Sequence, residues 1–169
     1  AIEGRDFVMD IKLIAIDIDG TLVNSRGQLT PKVKETIKQA TAQGIKVVIC
    51  TGRPLAGVTE LLAQLDLADQ DDQYVVCFGG AVVETTSGKL IFKKGISYDD
   101  FVDLEAIARK LNLHFQAINT ERIYTCNKDI GYYTLYEANL VSMPISYRTP
   151  EEMREISLVK AMYIEDAEI

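Results

Sequence analysis

The stretch Ile11 to Leu22, IKLIAIDIDGTL, constrains this chain more than any other. Ile11 to Ile16 is a short apolar, partly β-branched run interrupted by Lys12, the pattern of a strand buried on both faces of a parallel sheet. It stops abruptly at Asp17-Ile18-Asp19, followed by Gly20 and Thr21. Carboxylates at i and i+2 of an extended backbone point the same way. Two like charges so close repel unless a cation or a shared proton offsets them. Gly20 permits a turn that a residue with a Cβ would resist. An apolar strand that delivers carboxylates into a glycine turn is how an open α/β sheet presents chemistry at its strand ends.

Further apolar runs follow at the spacing of a β-α-β-α-β unit. Thr30 reads as an N-cap, Pro31 as the first helical residue, and Val33, Ile37 and Ala40 as the helix stripe, with Gly44 at the C-terminal cap. Ile45 to Cys50 is a second strand leading into Thr51-Gly52-Arg53-Pro54. Leu55, Val58, Leu61, Leu62 and Leu65 predict a second helix, and the acidic stretch Asp66 to Asp72 a solvated loop. Tyr74 to Phe78 is a third strand ending in Gly79-Gly80. These elements call for right-handed crossovers and a Rossmann-like parallel sheet.

Past Gly80 the pattern changes. Ala81 to Glu84 and Leu90 to Lys93 flank a Thr86-Ser87-Gly88 hairpin signal. Ser97, with Asp100 three residues on, resembles a capping box for a helix through Leu111. Leu113 to Ile118 and Arg122 to Cys126 read as a strand pair, 129–140 as a weaker helix and Leu158 to Ile164 as a last strand. The expected organisation is an α/β core over residues 9–82 and an α+β lobe over 83–169. Ile2-Glu3-Gly4-Arg5 matches the recognition sequence of a protease used to remove purification tags, so residues 1–8 are expected to be a tag or linker remnant before a natural start at Met9.

A net charge of −7 argues against nucleic acid or an anionic membrane as a partner, and no apolar run is long enough to span a bilayer. Cys50, Cys77 and Cys126, an odd count without CxxC spacing, suit reduced thiols and a cytoplasmic location. The sole histidine, His114, reads as structural, and Tyr132, Tyr133 and Tyr136 as core of the second lobe more readily than as a substrate face.

The strand ends DIDGT, TGRP and FGG should share one edge of the sheet. Thr51 supplies a hydroxyl, and the Gly52 and Arg53 amides open onto a helix start that favours an anion. Asp17 and Asp19 suit a hard cation, Mg2+ above all. Carboxylates and a metal facing a hydroxyl and amide cradle form a site for phosphoryl transfer.

DIDGTL at 17–22 followed by TGRP at 51–54 resembles the first two motifs of the haloacid dehalogenase (HAD) superfamily, and the order of the second lobe resembles its Cof-type branch. The resemblance implies a Mg2+-dependent phosphatase acting on small phosphorylated metabolites of the sugar-phosphate kind. It gives Asp17 the part of phosphorylated nucleophile and Asp19 that of acid and base. Asp17 and the Asp19 carbonyl would hold the metal, and Ile18, Thr51, Gly52 and Arg53 the phosphate. It makes the second lobe a cap. The lysine and GDxxND-type loop that complete the family's site do not occur in the sequence, and relatives commonly carry Asn-Gly where Gly79-Gly80 stands. The chain is therefore expected to be the N-terminal portion of a longer enzyme, inactive or nearly so alone, with a free sheet edge that favours self-association. A phosphomutase or phosphotransferase on the same scaffold, or a non-catalytic self-associating module, are the other readings.

Overall fold

The structure, a computed structural model, describes residues 10–166, so the expected tag remnant lies outside the described residues. It contains two sheets. The first has five strands in sequence order: β1 (Leu13–Asp17), β2 (Lys46–Cys50), β3 (Tyr74–Cys77), β4 (Val82–Thr85) and β5 (Leu90–Lys93). The β1-β2-β3 part is parallel, and β4 and β5 add antiparallel. By hydrogen bonding, this sheet runs on through Lys93, past the lobe boundary expected near Val82.

Helix α1 (Pro31–Ala42) connects β1 to β2. The Thr30 Oγ1 accepts from the Val33 amide, and Pro31 occupies the first helical position, where its missing N–H costs nothing. The second helix is not the continuous one that the leucine spacing predicts. A single 3₁₀ turn at Leu55–Gly57 comes first, and Val58, at φ −131° and ψ 0°, separates it from a short α2 (Thr59–Gln64). Gly57 and β-branched Val58 are poor mid-helix residues, and burial of Val58, Leu62 and Leu65 fixes the segment instead of helical propensity.

The second sheet has the order β8-β7-β6-β9, with β6 (Phe115–Ile118), β7 (Ile123–Thr125), β8 (Ile145–Tyr147) and β9 (Lys160–Tyr163). Ile145–Tyr147 escaped the sequence reading; three residues with one exposed tyrosine give too little period-2 signal. Helix α3 (Tyr98–Leu111) starts with a complete capping box between Ser97 and Asp100 and ends on Asn112 in the left-handed region at φ +54°. Helix α4 is Tyr132–Leu140.

Two apolar clusters hold this arrangement. One lies between α3 and one face of the second sheet, around Phe101, Ala108, Phe115, Met153 and Leu158. The other starts in the first sheet, with Val47, Ile49 and Val75, and continues without a break into Ile118, Ile123, Val141, Met143 and Val159. The second sheet is thus packed against the first lobe through its other face. Gly95 sits in this junction: a Cβ there would lie 2.1 Å from the Leu158 carbonyl oxygen.

Two sequence expectations are corrected. Tyr132, Tyr133 and Tyr136 are not core but 71%, 37% and 55% exposed, because α4 buries Thr134 and Ala138 on its inner side. Nor is β1 covered on both faces: among the described residues nothing packs over Leu13, Ala15 and Asp17, and Leu13 is 54% exposed. No helix among the described residues is long and apolar enough to cross a membrane.

Candidate active site

Asp17 is the last residue of β1 and pairs in register with Cys50, the last of β2. Alternation continues past the strand, so the Ile18 side chain is buried while Asp17 and Asp19 face solvent. The chain then turns sharply. Asp19 stays extended at φ −77° and ψ 115°, Gly20 takes φ +78°, a value that disfavours any side chain, and the Val23 amide closes the turn on the Ile18 carbonyl at 3.1 Å.

The second motif meets the first through a side chain. Arg53 Nη2 donates to Asp19 Oδ1 at 2.8 Å. Both partners are partly solvated, so the pair contributes about 0–1 kcal/mol to stability. Its consequence is positional: it ties the TGRP loop to the carboxylate pair. Thr51 is 5% exposed, and its Oγ1 accepts from the Arg53 amide at 3.1 Å. Of the two amides expected to face an anion, Arg53's is therefore engaged within the loop. Gly52's has no hydrogen-bond partner among the described residues.

The third strand end braces this loop. Phe78 N–H donates to the Arg53 carbonyl at 3.3 Å and Gly79 N–H to the Thr51 carbonyl at 3.0 Å. Phe78, Gly79 and Gly80 all carry positive φ, at 52°, 67° and 103°. For Phe78 that conformation costs about 1–2 kcal/mol, offset by the burial of its ring. FGG acts as a buttress behind the loop. The helix start expected to attract an anion is weaker than the sequence implies, since a 3₁₀ turn and a short helix carry little macrodipole.

One residue at the loop was not foreseen. Lys160, the first residue of β9, extends from the second sheet and donates from Nζ to the Gly52 carbonyl at 3.3 Å. Nothing local in Val159-Lys160-Ala161-Met162 announces this; only the packing of the two sheets brings it there.

The thiols are out of the chemistry. Burial, and then the nearby Asp17 carboxylate, push the Cys50 thiol up, and burial pushes Cys77 up to about 12, so neither forms a thiolate readily. His114 pairs through Nδ1 with Glu165 at 2.6 Å, just beyond the ends of β6 and β9, which suits the structural role expected of it. A cleft of about 570 Å³ opens beside the site. It shares Ile18 and Arg53 with it and is otherwise lined by residues such as Asn24, Gln28 and Glu60, but includes neither Asp17 nor Asp19. Among the described residues no group of three or more His, Cys, Asp or Glu side chains forms a ready metal cage. Asp17 and Asp19 offer hard oxygen donors only. That set fits Mg2+, which keeps waters and is held through one or two carboxylates plus substrate oxygen.

The profile of a family described as haloacid dehalogenase-like hydrolase matches residues 14–169. A Streptococcus pyogenes serotype M6 protein with a provisional phosphatase name is 45% identical over 95% of this chain and 60% of its own length. Bacillus subtilis YxeH, also provisionally named a phosphatase, is 35% identical over 93% of this chain and 58% of its own. The chain thus spans about three fifths of these curated relatives. In structure it is similar to a haloacid dehalogenase-like hydrolase from Bacteroides thetaiotaomicron, with a TM-score of 0.73 and 25% identity over 94% of this chain and 59% of that one.

Proposed function

The chain belongs to the haloacid dehalogenase-like hydrolase family, and we propose that it is the N-terminal part of a Mg2+-dependent phosphatase for small phosphorylated metabolites, of sugar-phosphate type, working through a phospho-aspartate on Asp17. The observation that carries this reading is the juxtaposition of an exposed Asp17 at a strand end, the Asp19–Arg53 ion pair, and the Thr51-Gly52-Arg53 loop.

In the proposed reaction an Asp17 carboxylate oxygen attacks phosphorus, and the bond from phosphorus to the ester oxygen breaks. Asp19, released from Arg53 and protonated as the substrate binds, gives that proton to the departing oxygen. In the second half Asp19 takes a proton from water as the water oxygen attacks phosphorus, and the acyl-phosphate bond breaks to restore Asp17. The Gly52 amide and Thr51 orient the phosphoryl oxygens, and until substrate binds Arg53 holds Asp19 at the mouth of the site. Mg2+, held by Asp17 and the Asp19 carbonyl, would neutralise charge on the transferring group. The second sheet would serve as the cap that excludes water and selects the substrate.

Turnover is assigned to the longer protein, because the relatives extend well beyond the aligned span and the family's lysine and acidic loop are not among these residues. The test is hydrolysis of a generic phosphate monoester by the full-length protein, expected to vanish with a chelator and return with Mg2+. No hydrolysis under any metal would overturn the reading, and phosphate passed to a sugar in place of water would favour a mutase or transferase. A second reading for residues 1–169 alone rests on β1, an edge strand with Leu13 and Ile11 about half exposed. Such an edge favours pairing with a second copy, and a stable dimer without turnover would support it.

A further inference from the structure

We propose that Lys160 is a phosphate-binding cation contributed by the second lobe, which docks on the Gly52 carbonyl and moves its charge onto the substrate phosphate when one binds. The inference rests on the phosphate-site reading above and goes beyond it by naming a residue outside the two sequence motifs.

The position of Lys160 is imposed from both sides. Ile96 N–H donates to the Leu158 carbonyl at 3.1 Å, and Val159 N–H to the Ile118 carbonyl at 2.8 Å, so the chain entering β9 is clamped between the Gly95-Ile96 connection and β6. In the antiparallel pairing Lys160 stands opposite Ile118 and Met162 opposite Gln116. Directly opposed and alternate residues share a face. That is the face whose Ile118 and Met162 join the core cluster of the first lobe. Lys160 is the cation at the rim of that packed face, and its stem is partly covered. Its ammonium would lie 3.6 Å from a Cβ built on Gly52, an ordinary contact, so the glycine leaves it room but little slack.

The charges make this placement useful. Arg53 is matched by Asp19 at 2.8 Å, and no carboxylate among the described residues lies within 4.0 Å of Lys160. In a chain of net charge −7, an incoming phosphate dianion approaches beside the Asp17 carboxylate, and a cation on the loop side offsets that repulsion in addition to any metal. The Gly52 carbonyl accepts one of three ammonium protons. The remaining two are available to an anion held by the neighbouring Gly52 N–H.

Calorimetric titration of the 169-residue chain with inorganic phosphate in Mg2+ buffer tests this. Lys160→Met and Lys160→Gln are expected to weaken binding about 5- to 10-fold, the scale of one partly solvated charge-assisted contact. Lys160→Arg should recover most of that, and the melting temperature of all three should match the wild type. Wild-type affinity in Lys160→Met, or no rescue by arginine, would overturn the role of Lys160 and leave the phosphate site standing. Absence of phosphate binding by the wild-type chain would overturn the phosphate-site reading and this inference together.

Discussion

Asp17→Asn in the full-length protein is expected to lower kcat for a phosphate monoester by about 10⁴-fold or more, the order seen when a covalent nucleophile is removed. The carboxamide keeps the size of the side chain but has no anionic oxygen to attack phosphorus. Folding should be unaffected. Asp17 is exposed and makes no side-chain hydrogen bond among the described residues, and removing its charge relieves repulsion from Asp19. A thermal melt unchanged or slightly raised, beside lost turnover, separates chemistry from stability. Turnover within about 10-fold of wild type would exclude Asp17 as nucleophile.

Phe101→Ala should give the largest loss of stability, about 3–5 kcal/mol, from lost burial plus the cavity left behind. Phe101 is 1% exposed, its ring centroid 5.8 Å from that of Phe115 and 6.2 Å from that of Tyr98, in the small cluster joining α3 to the second sheet. Few buried residues surround it, so little can move in to fill the space. Against a total stability of about 5–15 kcal/mol this is a large fraction, and the melting temperature should fall by roughly 10 °C. A fall of a degree or two would mean that the second lobe is held chiefly by its contact with the first, through Ile118, Ile123 and Val159.

The elements that the sequence made legible share one property: their signal is local. The β1 run, the Thr30–Pro31 cap and the Ser97–Asp100 box each specify geometry through residues within four positions of one another. The pairing of DIDGT with TGRP was legible because parallel strand ends share an edge. The departures are all tertiary. The 3₁₀ break at Leu55–Gly57 follows from burial, and the exposure of Tyr132 and Tyr136 from which side of α4 meets its neighbours. The Arg53 side chain could have turned to solvent or substrate and instead reaches Asp19. Lys160 lies 108 residues from Gly52 in sequence, in a strand whose composition gives no hint of its partner.

The role of Asp17 is tested most directly by acid-quenching the full-length protein during turnover with Mg2+ and mapping the trapped species by mass spectrometry. The account predicts the added mass of one phosphoryl group on the peptide that carries Asp17, sensitive to hydroxylamine and missing in Asp17→Asn. A protein that turns over substrate with no phosphoryl adduct on that peptide, or with the adduct on another residue, would contradict it.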